Sequence, residues 1–485
     1  MPAHHFIANT RHPAEGGRTL PVVDPSDGQP YDEIARGTAA DIDRAVAAAG
    51  AAMGDHLDGP WARTCARDRG RLLADWGRAV LEHADELAAI EARDTGKPQQ
   101  TARNDVLALA RYFEFYAGAC DKLHGDTLPY ETGYTVMTVR EPHGVTGHII
   151  PWNYPVQIFG RSVGASLAAG NACVVKPAED ASLSILYLAE LAAGVGFPAG
   201  ALNVVTGYGH EAGAALSAHP GIHHISFTGS TQTGQRVAEA AARHHCPAVL
   251  ELGGKSPQLV FDDADLDAAL PVLVNAIIQN SGQTCSAGSR LLVQEGCYET
   301  LLARLAERFR GLRAGPASAE PDLGPLINQK QAERVRELLA EARAEGLAEA
   351  ARGTILPQAP AGGYYQEAVL FRDVPPDSVL VREEIFGPVL VVQSFRTESE
   401  ALALANDTPY GLVAGVWTRD GARQMRLARQ LRCGQVFINN YGAGGGVELP
   451  FGGVKASGYG REKGFEALLG FTALKTIAIR HGVVE

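Results

Sequence analysis

The segment SGQTCSAGSR, residues 281 to 290, sets Cys285 among small and polar residues directly after the apolar run PVLVNAII. A thiolate needs exposure and local stabilisation to act as a nucleophile. Gly282 and Gly288 permit an unusual backbone path, and Gln283, Thr284 and Ser286 are polar. Cys285 is therefore read either as a small packing residue or as a nucleophile for a substrate carbon. No base adjoins it in sequence, so activation must come from elsewhere in the fold. Glu251 is the candidate base. It ends the apolar strand PAVL and opens ELGGKSP, and a carboxylate in a partly apolar cleft has its pKa raised towards neutrality. The competing reading is a solvated strand-end acid.

Three further stretches carry polar groups at the ends of apolar runs. PWNYP, residues 151 to 155, fixes a loop around Asn153 with two prolines. Its side-chain amide could donate to a developing oxyanion, or the loop could be a rigid connection packed by Trp152 and Tyr154. KPAE places Lys176 and Glu179 where they either hydrogen-bond sugar hydroxyls or flank the next helix. FTGSTQTG puts Gly229 and Ser230 between a strand and a helix, where backbone amides can hold a pyrophosphate. The GxGxxG fingerprint is absent.

The elements that must position these residues are legible as alternation. Residues 38 to 120 carry helical patterns rich in Ala, Leu, Arg and Glu, opened by Thr38 with Asp41 as a capping box. From 142 to 252 short apolar strands (GVTGHIIP, NACVVKP, ALNVVTG, IHHISFTG, PAVLELGG) alternate with helices. That pattern predicts a doubly wound parallel sheet, with ligands beyond the carboxyl ends of the strands. A second α/β block runs from 253 to about 455. The tail FTALKTIAIRH alternates as a strand that needs a partner edge, a neighbouring subunit being one candidate.

The chain has 485 residues, too many for one ordinary core. A net charge of -12 argues against a nucleic-acid partner. Seven scattered cysteines without a CxxC pair fit neither a disulfide scaffold nor a zinc site, so no metal is expected and the setting is read as reducing. No signal peptide and no membrane span are expected, which makes the cytoplasm the expected location.

Taken in order, PWNYP, KPAE, FTGST, ELGGKSP, GQTC, EEIFGPV, NDTPYGL and PFGGVKASGYGRE resemble the motifs of the NAD(P)-dependent aldehyde dehydrogenase superfamily, of the hydrolytic, non-acylating kind. The resemblance implies an α/β aldehyde dehydrogenase fold: a Rossmann-like cofactor domain, an α/β catalytic domain and a small β oligomerisation element. The implied boundaries are 1–120 and 142–252 for cofactor binding, 121–141 for an oligomerisation excursion, 253–455 for catalysis, and 456–485 for a linker and oligomerisation strand. It further implies a homodimer or a dimer of dimers. Cys285 resembles the nucleophile, Asn153 the oxyanion donor, and Glu251 the base for hydrolysis of a thioester. Lys176 and Glu179 match residues that hold the adenosine ribose, and Gly229 and Ser230 the turn near the pyrophosphate. Glu384 and Phe386 match residues beside the nicotinamide ribose. Pro151, Trp152 and Leu252 are carried over as further cofactor contacts. Glu179 favours NAD over NADP by repelling a 2'-phosphate.

Substrate choice is read at Tyr154 and Arg161. Arg161 lies where many aliphatic-aldehyde relatives place a tryptophan, and an arginine fork suits a carboxylate. The expected substrate is thus a small aldehyde bearing a carboxylate or an aromatic ring. An amino-aldehyde or betaine-type aldehyde is the alternative, and so is an internal acid as the partner of Arg161. A non-catalytic binding protein of this fold is the rival from another class.

Overall fold

The computed structural model describes residues 3–483, without the side chains of residues 443 and 444. Two large sheets and a three-stranded sheet carry the architecture, beside two two-stranded ribbons. The first is built around five parallel strands in the order Leu202–Val204, Ala172–Pro177, Val145–Ile150, His224–Thr228 and Ala248–Glu251. The chain winds outward in both directions from Val145–Ile150, so the crevice of the doubly wound sheet opens beside that strand. Its carboxyl end leads into PWNYP, and the next strand leads into Gly229 and Ser230. Antiparallel edges come from Thr10–His12 and His5–Ile7 on one side and Gly458–Tyr459 on the other. This last strand brings a C-terminal segment into the cofactor-side sheet, next to Glu251.

Helix Pro155–Ala169 shows how the sequence fixes one face of this sheet. Pro155 sits at the first turn, where its missing N–H is harmless. Most of the helix is buried. A methyl group added at Gly160 would come within 2.7 Å of Leu109, so this glycine lets helix Gln99–Ala119 pack close. One charged residue, Arg161, is carried into that interior.

The second sheet has seven strands in the order Ala348–Arg352, Val369–Arg372, Val389–Phe395, Arg290–Gln294, Pro257–Val260, Val413–Trp417 and Gln435–Ile438, all parallel except the first. Helix Leu266–Ile278, capped by Asp265, delivers the chain to the Cys285 loop. The third sheet pairs the tail strand Thr472–Arg480 antiparallel with Tyr134–Pro142, which also pairs with Thr127–Leu128. The tail strand therefore finds one partner edge within its own chain. Among the described residues no strand pairs with its other edge, and Leu474, Ile477 and Ile479 of this strand are exposed. Among the described residues, no helix is long and apolar enough to cross a membrane.

Candidate active site

Cys285 follows three consecutive residues in the left-handed region: Asn280 (φ 47), Ser281 (φ 56) and Gly282 (φ 75). Only glycine takes that conformation freely, so the other two must be held by contacts. Ser281 Oγ donates to the Gly324 carbonyl at 2.8 Å, and Asn280 Nδ2 donates to the Asn153 carbonyl at 2.8 Å. Gln283 is held by the Ile327 N–H, which donates to its Oε1 at 2.9 Å. Tyr441 OH donates to the Ser286 carbonyl at 2.6 Å. The loop is pinned on all sides while Cys285 itself keeps partial exposure. Gly282 meets the segment EEIFGPV so closely that an added methyl would lie 2.2 Å from the Gly387 carbonyl oxygen. Gly282→Ala is therefore expected to destabilise the protein by about 2–5 kcal/mol, from φ strain plus overpacking. Chemical denaturation checks this.

PWNYP comes up against the same loop. Asn153 is buried, and its Nδ2 donates to the Gln283 carbonyl at 3.0 Å, two residues before Cys285. One amide hydrogen is thus used, and the second stays available to an oxygen on the cysteine. The Tyr154 hydroxyl hydrogen-bonds Thr284 Oγ1 at 2.8 Å, which places its ring beside the loop.

Glu251 is 1% exposed, and neither carboxylate oxygen has a hydrogen-bond partner among the described residues. Burial, reinforced by Glu462, raises its pKa well above the ordinary carboxylate value, against the pull of Arg161 and Arg461. A methyl at Gly452 would fall 2.8 Å from Glu251 Oε1, so the carboxylate has room only because that residue is glycine. Burial also pushes the Cys285 thiol up to about 12, with Arg161 opposing and Glu384 and Glu251 adding to the rise. Burial therefore disfavours the thiolate, and the Arg161 guanidinium partly offsets this.

Arg161 is 7% exposed and pairs with Glu462. Its Nη2 reaches Thr228 Oγ1 at 3.4 Å, and its guanidinium lies 5.0 Å from the centroid of the Phe451 ring. Glu462 Oε1 also accepts from Ser226 Oγ at 2.7 Å. The structure thus gives Arg161 an internal acid. Its charge still acts on Cys285 and Glu251 from within the protein. Arg161→Leu alone should lower stability by about 3–5 kcal/mol, because Glu462 is left buried without its cation. Adding Glu462→Gln should recover most of that loss in the same denaturation measurement.

The residues expected to hold a dinucleotide line the carboxyl ends of the first sheet. Lys176 is buried at the end of its strand and donates to Glu179 Oε2 at 2.8 Å. Burial tends to raise the Glu179 pKa, but Lys176 and nearby backbone N–H groups lower it on balance. Ser230 caps helix Thr231–Ala242, its side chain accepting the Thr233 N–H, and the remaining first-turn N–H groups have no intrahelical acceptor. The Gly229 N–H donates to the Glu251 carbonyl at 3.0 Å, which ties this turn to the candidate base. Leu252 packs on Gly234 of the same helix.

On the other side, Glu384 Oε1 accepts the Gly254 N–H at 2.9 Å. A methyl at Gly253 would strike Glu384 Oε2 at 2.3 Å, so the glycine makes the cradle in which this carboxylate lies. Burial raises the Glu384 pKa to about 7, with the Gly254 N–H and Lys255 opposing. Phe386 takes φ 56 and meets Trp152 edge-on at 5.3 Å, so PWNYP and EEIFGPV close on each other just after Pro151. The chemistry of the groups present, a helix N-terminus at one end and the carboxylates of Glu179 and Glu384, suits a dinucleotide.

The sequence alone assigns no role to Lys97, Asp105, Asn280 or Glu462, which touch these segments or the helix that follows PWNYP, or to Glu91, which holds Lys97. One signal was available. A charged residue inside the apolar helix PVQIFGRSVGASLAA needs a buried partner.

The family model described as the aldehyde dehydrogenase family matches residues 12–477. A crystal structure from Burkholderia cenocepacia, assigned as an aldehyde dehydrogenase, is 68% identical with a TM-score of 0.98, covering 99% of this chain and 100% of that one. Hydroxyisobutyraldehyde dehydrogenase of Mycolicibacterium austroafricanum is 44% identical over 96% of this chain and 92% of its own. An aldehyde dehydrogenase of Bacillus cereus, solved with NAD+, is 38% identical with a TM-score of 0.94, covering 99% of this chain and 97% of that one.

Proposed function

This chain belongs to the aldehyde dehydrogenase family and is an NAD(P)-dependent enzyme that binds NAD and oxidises an aldehyde, and from that premise we propose that Cys285 is its nucleophile. The observation that carries this reading is the pinned loop, which holds Cys285 two residues beyond the carbonyl that aims Asn153. Cys285 gives up its thiol proton to solvent as Sγ bonds to the aldehyde carbon, and the carbonyl electron pair moves onto oxygen. The oxygen that gains charge is met by Asn153 Nδ2 and the Cys285 backbone N–H. NAD, when bound, supplies the acceptor for the hydride that leaves the same carbon. The acyl group then remains on sulfur as a thioester. Glu251, unpartnered and raised in pKa, takes the proton of the water that opens it. Lys176 and Glu179 would hold the adenosine ribose, Gly229 and Ser230 the pyrophosphate region, and Glu384 the nicotinamide ribose. Pro151, Trp152, Leu252 and Phe386 would wall the crevice. Glu179 beside Lys176 favours NAD, and NADP is the weaker ligand in this reading.

The substrate reading narrows to an uncharged aldehyde, aromatic or aliphatic. Arg161 is already matched by Glu462, so a substrate carboxylate would join or displace an acid that is fully buried. The relative from Mycolicibacterium is named for an uncharged aldehyde. A carboxylate-bearing aldehyde is the second reading, favoured by the guanidinium's nearness to the Phe451 ring, which belongs with Leu412 and Val413 to the apolar cluster that Cys285 packs against. NADH formation with succinate semialdehyde, benzaldehyde, an aliphatic aldehyde and betaine aldehyde tests the choice. Uncharged substrates should turn over best, and strong preference for the acidic one would return Arg161 to substrate binding. The open edge of Thr472–Arg480, with three exposed apolar side chains, supports a homo-oligomer, dimer or dimer of dimers. The free state of all seven cysteines suits a reducing, cytoplasmic setting.

A further inference from the structure

Lys97 joins helix Ala84–Thr95 to helix Gln99–Ala119 and is 2% exposed. An ammonium has three N–H donors. Here they meet Asp105 Oδ2 at 2.6 Å, Glu91 Oε1 at 3.5 Å and the backbone carbonyl of Asn153 at 3.1 Å. The Lys97 Nζ also lies 4.8 Å from the centroid of the Tyr154 ring. The ammonium stays charged because Asp105 and Glu91 outweigh its burial. Burying an ammonium with two carboxylates is a poor way to stabilise a helix pair, since apolar side chains of similar size serve as well. What apolar side chains cannot do is hold a carbonyl.

We propose that Lys97 is a positioning residue for aldehyde oxidation: it pins the Asn153 carbonyl so that the Asn153 amide points at the substrate oxygen. The proposal rests on the reading of Asn153 given above. Asn153 is fixed at three points. Its carbonyl accepts from Lys97 Nζ and from Asn280 Nδ2, and its own Nδ2 donates to the Gln283 carbonyl. Lys97 comes from the helical layer of the first sheet and Asn280 from the loop of the second, so one carbonyl is stitched to both halves. The clamp also closes on its own loop. Gln157 Nε2, in the helix that begins right after PWNYP, donates to Asp105 Oδ1 at 2.6 Å. Ser184 Oγ donates to Glu91 Oε2 at 2.9 Å. Each partner of Lys97 is therefore itself held. A donor displaced by about 1 Å loses about 100-fold in rate, so a contact one residue away from the chemistry has leverage.

The test is a double-mutant cycle in the full-length enzyme, with Lys97→Met, Asn153→Ala and the pair, read as the rate of the first NADH burst at saturating NAD. Lys97→Met should slow the burst by about 10- to 100-fold while the KM for aldehyde moves less than about threefold. In the Asn153→Ala background the same change should slow it less than about twofold, because the amide it aims is gone. An equal loss in both backgrounds would overturn the proposal, as would an effect carried wholly by KM or by a lower melting temperature. An unchanged burst in Asn153→Ala alone would overturn the reading of Asn153, and the proposal with it, without Lys97 being touched. Should Lys97→Met leave Asp105 too poorly compensated to fold, Lys97→Met with Asp105→Asn removes both charges and carries the same expectation.

Discussion

Cys285→Ala should reduce aldehyde-dependent NADH formation by at least about 10⁴-fold while NAD binding stays within about twofold of the parent enzyme. The large factor follows from the chemistry. Without sulfur no tetrahedral adduct forms, and an aldehyde carbon gives up hydride poorly unless a negatively charged oxygen pushes it out. The small factor follows from the geometry. The groups expected to hold the dinucleotide, Lys176, Glu179, Ser230 and Glu384, belong to strand ends, a helix terminus and a loop that do not depend on the thiol. Alanine is also a mild replacement here. Cys285 is partly exposed, and the loop is held by Ser281, Asn280, Gln283 and Tyr441 rather than by sulfur. Steady-state rates together with titration of NAD by fluorescence quenching check both halves. Retained turnover would move the nucleophile to another residue. Lost NAD affinity would mean that the thiol orders the cofactor crevice.

The contrast between Cys285 and Arg161 shows what a sequence of this kind displays and what it hides. The strands under the crevice were legible because parallel strands buried on both faces read as unbroken apolar runs, and the polar residues at their ends stand out against them. Glu251, Lys176 and Asn153 stand out in this way, and the structure places Glu251 and Lys176 at such ends and Asn153 three residues past one. The left-handed stretch before Cys285 was half legible. Gly282 announced it, whereas Asn280 and Ser281 adopt the same conformation only because distant carbonyls hold their side chains. That Arg161 could pair with an internal acid was legible from its apolar helix, but not that the acid is Glu462, because an ion pair that closes across two remote segments leaves no local spacing. Lys97 was hidden for the same reason. Its three partners lie on one helix before it, one helix after it and a loop further along the chain. Local pattern reports the scaffold and the groups displayed at its rim. The buried charges that hold those groups in place emerge only from the folded chain.

Those buried charges decide the second large effect. Glu251→Gln should lower steady-state turnover by about 10²–10⁴-fold while leaving a first burst of NADH close to one equivalent of enzyme. Glutamine keeps the volume beside Gly452 and removes the basic oxygen. Hydride transfer precedes hydrolysis, so a missing base at the hydrolytic step lets the first NADH form and then strands the enzyme as its thioester. The pH dependence carries the same signature. A general base acts only when deprotonated, and burial, reinforced by Glu462, holds the Glu251 pKa well above the ordinary carboxylate value. Turnover in the parent enzyme should therefore climb as pH rises through that raised pKa, and the climb should vanish in Glu251→Gln. Arg161→Leu makes the sign testable a second time. Arg161 pulls the Glu251 pKa down, so removing it should move the rising limb to higher pH. Rapid-mixing absorbance gives the burst and steady-state assays give the limb. A burst lost in parallel with turnover would assign Glu251 to deprotonating Cys285, whose thiol is itself pushed up to about 12 by burial, and would move the need for this carboxylate to the first chemical step.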